Sequence, residues 1–334
     1  MIAAPSPQLA DHRADTAGAA EIAVGAVFRC VLDEQPGYLA PSSARRPRVS
    51  SKRLIINPDC RFSWTSGTPR EVAEAAAWLA AGAEDPIVWV PTATGWQPFW
   101  VGDTYRELLN HCSLGGPVPD GASDQAVDVW RRAGILVSSR RGDTAGKRWH
   151  AAAATSARRF RQRRYATVSG LIHAFQIDAL RKYYRRLVRT GGMYLGDAQA
   201  SCRYACHNEA VSRFFHHQLT DAISEIAGEK VKPSYTYVVS YRGGAELEPH
   251  TDREQCEFTL SILVDYPPER ERESPWPLCI QPGKRTVRVI QNVGDAVLFC
   301  GRQLPHFRPK LDEGFTSTTM LLHYVREDFA GPLD

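Results

Sequence analysis

With 334 residues, 43% hydrophobic and 23% charged, the chain has the composition of a soluble globular protein and room for two domains or one large domain with an extension. No run approaches the ~18 apolar residues of a membrane span, and the N-terminal MIAAPSPQLADHRADTAGAAEIAVG lacks the charged start and compact apolar segment of a signal peptide; no membrane partner is expected and a cytoplasmic location is the default. The net charge is only +4, so any basic surface has to be local.

Residues 1–50 are rich in Ala, Pro, Ser and Arg without periodicity and are expected to form a flexible tail. Order is expected from KRLIINPD, a short strand with a turn at Asn57-Pro58-Asp59. Thr68-Pro69-Arg70-Glu71 has the pattern of a capping box opening the helix EVAEAAAWLAAGA. DPIVWVPT and WQPFWVG read as strands around a glycine turn, TYRELLNHC as a helix, and DQAVDVWRRAGILVSS as an amphipathic helix followed by a strand. Residues 51–138 thus form a small α/β unit, comparable with a winged helix and suited to recognition. From Arg131 to Arg164 there are eleven Lys or Arg against one acid, Asp143. Residues 139–164 are therefore expected to be a basic linker. A contact surface for an anionic partner is the alternative, and the lack of interleaved aromatics argues against nucleic acid.

The rhythm changes at Tyr165. YATVSGLI reads as a strand, IDALRKYYRRLVRTG as a helix stopped by Gly191, and NEAVSRFFHHQLTDAISEIAG as a second helix with Asn208 as cap and Gly228 as stop. Strands then follow: SYTYVVSYRGG, EFTLSILVDY, PWPLCIQP, two runs within RTVRVIQNVGDAVLFC, and STTMLLHYV. Short strands between Gly and Pro turns imply an antiparallel sandwich or barrel, with the earlier helices packed outside it, so the class is α+β. The eight cysteines lack CxxC spacing and read as reduced thiols. Cys202 and Cys206 beside His207 are a weak zinc candidate without an obvious fourth ligand.

One stretch carries chemistry. EPHTDREQCEFTLSILVDY places His250 and Asp252 two residues apart, a spacing that points both side chains to one face of a strand. GDAVLFCGRQLPHFRP supplies His306 after a Gly-Asp turn and an apolar strand. Two imidazoles and one carboxylate, with no thiolate, are the facial triad of non-haem Fe(II) oxygenases, which leaves metal positions open.

With these elements in view, residues 165–326 resemble the Fe(II)/2-oxoglutarate-dependent dioxygenases, in particular the prolyl-4-hydroxylase-like branch. The matching segments are YRGGAELEPHTD, with Tyr241 ahead of His250 and Asp252, and GDAVLFCGRQLPH, with Gly294 and Asp295 ahead of His306. The resemblance implies a double-stranded β-helix (jelly roll) over residues 165–334, Fe(II) on His250, Asp252 and His306, 2-oxoglutarate and O₂ as cosubstrates with ascorbate as an optional reductant, and hydroxylation of an unactivated C–H bond. The carboxylate at position 252 disfavours halogenation. An amino-acid or peptide substrate is implied, engaged in part by the N-terminal unit; a nucleic-acid demethylase and a non-catalytic peptide-binding protein on a cupin-like scaffold are the alternatives. The chain departs from the family where an Arg or Lys usually follows the distal histidine by ten or eleven residues: Thr316 and Ser317 stand there. Arg308 is the nearest replacement for holding the far carboxylate of 2-oxoglutarate, with Tyr237, Tyr241, Thr316 and Thr318 as further donors. Arg253 is a candidate for substrate contact. Residues 165–334 alone are expected to bind iron and cosubstrate.

Overall fold

The computed structural model describes residues 27–35, 53–64, 67–79, 86–139, 144–267 and 275–334. The N-terminal part contains β1 (Leu54–Ile56), β2 (Arg61–Ser63), α1 (Ala73–Trp78), β3 (Ile87–Thr92), β4 (Gly95–Trp100), α2 (Asp103–Asn110), α3 (Asp124–Ala133) and β5 (Leu136–Ser138). There follow α4 (Thr144–Arg163), β6 (Tyr165–Val168), α5 (Ala174–Arg189), β7 (Tyr194–Leu195), β8 (Arg203–His207), α6 (Ala210–Gln218) and α7 (Thr220–Ala227). The remainder is all strand: β9 (Val231–Arg242), β10 (Leu247–His250), β11 (Phe258–Asp265), β12 (Leu278–Ile280), β13 (Val287–Val289), β14 (Ala296–Phe299), β15 (His306–Arg308) and β16 (Thr316–Arg326).

Two antiparallel sheets form the C-terminal sandwich. The larger runs β6-β14-β11-β16-β9-β8-β7 and the smaller β10-β15-β12-β13. From β9 to β16 the strands alternate between the sheets, except that β12 and β13 both lie in the smaller one, an order compatible with the expected jelly roll. All eight residues of β11 are buried, because β14 and β16 flank it and helices cover its outer face. An apolar run without alternation is what such a central strand requires.

Four expectations need correction. The tail expected over residues 1–50 lies mostly outside the described residues, but Phe28, Cys30 and Leu32 are buried, and Phe28 packs edge-on against Trp100, Tyr183 and Phe215. The basic linker expected over 139–164 is for the most part helix α4. Its Trp149, Ala153, Ala157 and Phe160 are buried at helical spacing, and Phe160 meets Phe258 of β11; an apolar stripe hid between the arginines. The second helix breaks at Leu219 into α6 and α7, and Glu209, not Asn208, caps it by accepting from the N–H groups of Val211 and Ser212. No side chain caps the turn at Arg70, so the capping box at Thr68 does not form.

The N-terminal part is not a separate unit. Its β2-β3-β4 sheet shares one buried core with the helices of the sandwich. Trp89 packs on Phe214 and Phe99 on Phe175, while Trp96 N–H donates to Gln218 and Thr94 Oγ1 to the Leu171 carbonyl. A winged helix places its hairpin after its helices; here β3–β4 precedes α2 and α3.

Candidate metal centre

The two histidines come together because their strands are neighbours: β10 pairs with β15 and His250 lies opposite His306, with ring centroids 4.4 Å apart. Asp252 sits just past the end of β10, in coil rather than on the strand. Its N–H donates to the Gly301 carbonyl at 3.0 Å, which turns the carboxylate in beneath both rings. Asp252 Oδ1 is 3.8 Å from His250 Nε2 and 3.5 Å from His306 Nε2. The approach needs glycine at 301, since a Cβ there would lie 1.9 Å from Asp252 Oδ2.

The hydrogen bonds behind these atoms fit a metal. His250 Nδ1 donates to the Glu248 carbonyl (2.8 Å) and His306 Nδ1 to the Leu304 carbonyl (3.0 Å), which leaves each Nε2 as a lone pair facing Asp252. Thr259 of β11 donates to Asp252 Oδ2 at 2.8 Å and is faced by His323 Nδ1 at 3.1 Å, so Oδ1 alone is left toward the histidines. Burial pushes the Asp252 carboxyl up, but His306, His323 and Thr259 outweigh it and hold its pKa at about 2. Burial, followed by the neighbouring His306, lowers the His250 pKa and so favours its ligating neutral form. A second group, Asp252, Cys256 and His323, shares the aspartate. Burial raises the Cys256 thiol to about 12, which keeps it protonated and a poor ligand. Cys202, Cys206 and His207 do not assemble as a metal-ligating group among the described residues.

The triad opens on a cavity of about 460 Å³ between the two sheets. Phe299, Leu278, Leu321 and Val239 form apolar wall; Tyr237 and Tyr241 also line it. Arg308 enters from β15, two residues past His306 on the same face, opposite Leu247. It is 3% exposed, lies 4.7 Å from the Trp276 ring centroid, and has no acidic partner among the described residues. Burial pulls its pKa below the usual guanidinium value. Among the described residues its Nη2 has no hydrogen-bond partner, and neither do Ser261 Oγ of β11 and Thr319 Oγ1 of β16, which line the same cavity. One cation and two hydroxyls are a donor set that suits a carboxylate.

The other expected donors are placed differently. Strand alternation along β16 sends Thr319, Leu321 and His323 into the cavity and Thr318 to the opposite face, where it bonds Ser240 at 3.0 Å. Thr316, at the strand start, does not line the cavity either. Tyr237 donates its hydroxyl to Asp197, whereas Tyr241, which lines the cavity, accepts from Arg203 and keeps its own O–H to donate. Ser261, Thr319, Thr259 and Gly301 carried no sequence signal beyond strand alternation.

No protein-family model matches the chain, and no curated protein matches it significantly. Among solved structures it resembles Fe(II)/2-oxoglutarate-dependent oxygenases. SnoN, an α-ketoglutarate-dependent epimerase of nogalamycin biosynthesis also solved with Fe³⁺ and α-ketoglutarate, aligns over 53% of this chain and 83% of its own, with 17% identity and TM-score 0.44. A Pseudomonas putida prolyl-4-hydroxylase aligns over 52% and 99%, with 14% identity and TM-score 0.43. A Trichoplax adhaerens prolyl hydroxylase, in complex with a hypoxia-inducible-factor peptide, aligns over 56% and 95%, with 12% identity and TM-score 0.47. What this site does rests on its own side chains.

Proposed function

We propose that the chain is an Fe(II)/2-oxoglutarate-dependent oxygenase acting on an amino-acid or peptide substrate, most simply as a hydroxylase. The observation that carries this reading is the joint presence, in one cavity, of a two-histidine, one-carboxylate cluster and a buried arginine without an acidic partner among the described residues. His250, Asp252 and His306 would hold the iron from one side. Thr259 holds Oδ2 of the aspartate, which would leave Oδ1 to take the metal. Arg308, with Ser261 and Thr319, would take the far carboxylate of 2-oxoglutarate; an unpaired guanidinium in a buried site costs several kcal/mol until such an anion arrives. With its cosubstrate and O₂, bound iron supplies the oxidising power to attack an unactivated C–H bond. The apolar walls exclude water, and the cavity mouth orients the substrate. Epimerisation and ring closure use the same metal set, so the outcome depends on the substrate's position. A nucleic-acid demethylase is less favoured, because the basic stretch at 144–163 is a helix with its apolar face packed on the sandwich.

The test is release of succinate from 2-oxoglutarate by the iron-loaded protein. Wild type is expected to turn it over, while His250→Ala, Asp252→Ala and His306→Ala lose both iron and turnover and keep their circular dichroism. Wild-type iron affinity in Asp252→Ala would rule out the triad.

A further inference from the structure

His207 and Arg253 line the same cavity as the triad and are exposed, and Asn208 adjoins His207 just outside that lining. A carboxylate is already held there. Asp334 Oδ1 lies 3.0 Å from His207 Nε2, and Asp334 Oδ2 accepts from Asn208 Nδ2 at 2.9 Å. Each oxygen of one carboxylate thus meets its own donor, a pairing that suits a planar anion.

The donors are set in place without Asp334. Asn208 has φ +50°, a left-handed conformation that among non-glycine residues asparagine adopts most readily. Its N–H donates to the Thr236 carbonyl and its Oδ1 accepts from Thr236 N–H, both at 3.0 Å. This fixes the amide oxygen inward and Nδ2 outward. A residue held in a sparsely populated conformation by its neighbours is a feature of ligand clamps. Arg253 donates from Nε to Tyr235 Oη at 3.1 Å and lies 4.5 Å from that ring's centroid. Among the described residues no carboxylate is within ion-pairing distance of it, and Asp334 is an acid whose charge reaches it.

Asp334 is weakly anchored by contrast. Apart from its own carboxylate, the nearest tie on its segment among the described residues is the Phe329 carbonyl, which accepts from Lys232 Nζ at 2.9 Å, and Pro332, Leu333 and Asp334 are exposed. A carboxylate beside a cavity, held by preset donors on an exposed segment, has the properties of a stand-in.

We propose that His207, Asn208 and Arg253 form a carboxylate subsite for the substrate, and that Asp334 fills it while substrate is absent. The substrate therefore carries a free carboxylate, from an amino acid or an acidic side chain. This rests on reading the cavity as the substrate cavity of an oxygenase, and it deepens that reading.

The experiment titrates N-acetylglycine, and the uncharged N-acetylglycinamide, into the full chain without iron, following the His207 imidazole by NMR. The acid is expected to shift the His207 resonances and to bind at least tenfold more tightly than the amide. Asp334→Asn should raise its affinity about tenfold, and adding Arg253→Gln should remove that gain. Acetyl-aspartyl amide, whose one carboxylate is a side chain, distinguishes an acidic peptide from a free amino acid, and selective binding of either supports the subsite. Equal binding of acid and amide, no response to Asp334→Asn, or no His207 shift with any compound overturns it. Iron loading measured on the same preparations keeps the two claims apart. Iron bound without carboxylate selectivity removes the subsite alone; selectivity without iron binding removes the oxygenase reading alone.

Discussion

Asp252 depends on a backbone atom that is easy to overlook. Gly301 both accepts its N–H and leaves room for its carboxylate. Gly301→Ala would drive a methyl group into Asp252, so it is expected to lower iron affinity by at least tenfold, read by metal analysis after dialysis, while Ala at the exposed neighbour Arg302 leaves it unchanged. Arg308→Ala should raise the apparent 2-oxoglutarate requirement by roughly tenfold to a thousandfold, about 1.4 to 4 kcal/mol, as for loss of a charged hydrogen-bond partner. Arg308→Lys should recover only part, because an ammonium lacks the guanidinium's fork. An unchanged requirement in Arg308→Ala would move the anchor elsewhere. That His250, Asp252 and His306 come together was legible because the first two stand two residues apart and the third follows a turn-and-strand signature, although Asp252 lies past the end of β10 rather than on the strand. Thr259 and Gly301 were not, since each acts from another strand and no local pattern marks a partner across a sheet.

At the scale of elements, the apolar strands were legible and several short ones were not. The apolar strands β9, β11, β14 and β16 announce themselves; β7, β8, β10 and β15 are short or polar and gain their strand character only from pairing. Helix α4 shows the opposite error, where charge outweighed periodicity in the reading. Phe160 is fully buried against Phe258, so Phe160→Ala is expected to cost about 3–5 kcal/mol, measured by urea unfolding. A solvated linker would lose less than about 0.5 kcal/mol. Helices α5 and α6 also carry a pH dependence. Burial lowers the pKa of both His173, the cap of α5, and His216 of α6, whose Nε2 donates to the His323 carbonyl. Below their unfolded value of about 6.5 the unfolded chain binds these protons first, so stability falls with pH by about 1.4 kcal/mol per unit for each histidine, down to its folded pKa. Urea unfolding at pH 7 and pH 5 measures it. His216→Gln should flatten the slope, and equal stability at the two pH values would contradict the account.

At the scale of the whole molecule, the N-terminal part is structural support for the sandwich. Trp89, Phe99 and Phe28 cover Phe214, Phe175 and Phe215, so residues 165–334 alone would expose a continuous aromatic face. That fragment is expected to aggregate or to lose its near-ultraviolet circular dichroism, and a soluble, cooperatively folding fragment would restore the two-unit view. The shared core was not legible because each half is amphipathic by itself, and sequence does not say which apolar faces meet. The central claim, however, is the iron site. An anaerobic titration of the full chain with Fe(II), followed by 2-oxoglutarate, measures it directly. The account predicts one iron per chain and a visible charge-transfer band that grows on adding 2-oxoglutarate, is absent in Asp252→Ala, and needs more cosubstrate in Arg308→Ala. Iron bound equally by wild type and Asp252→Ala, or a spectrum indifferent to 2-oxoglutarate, would contradict it.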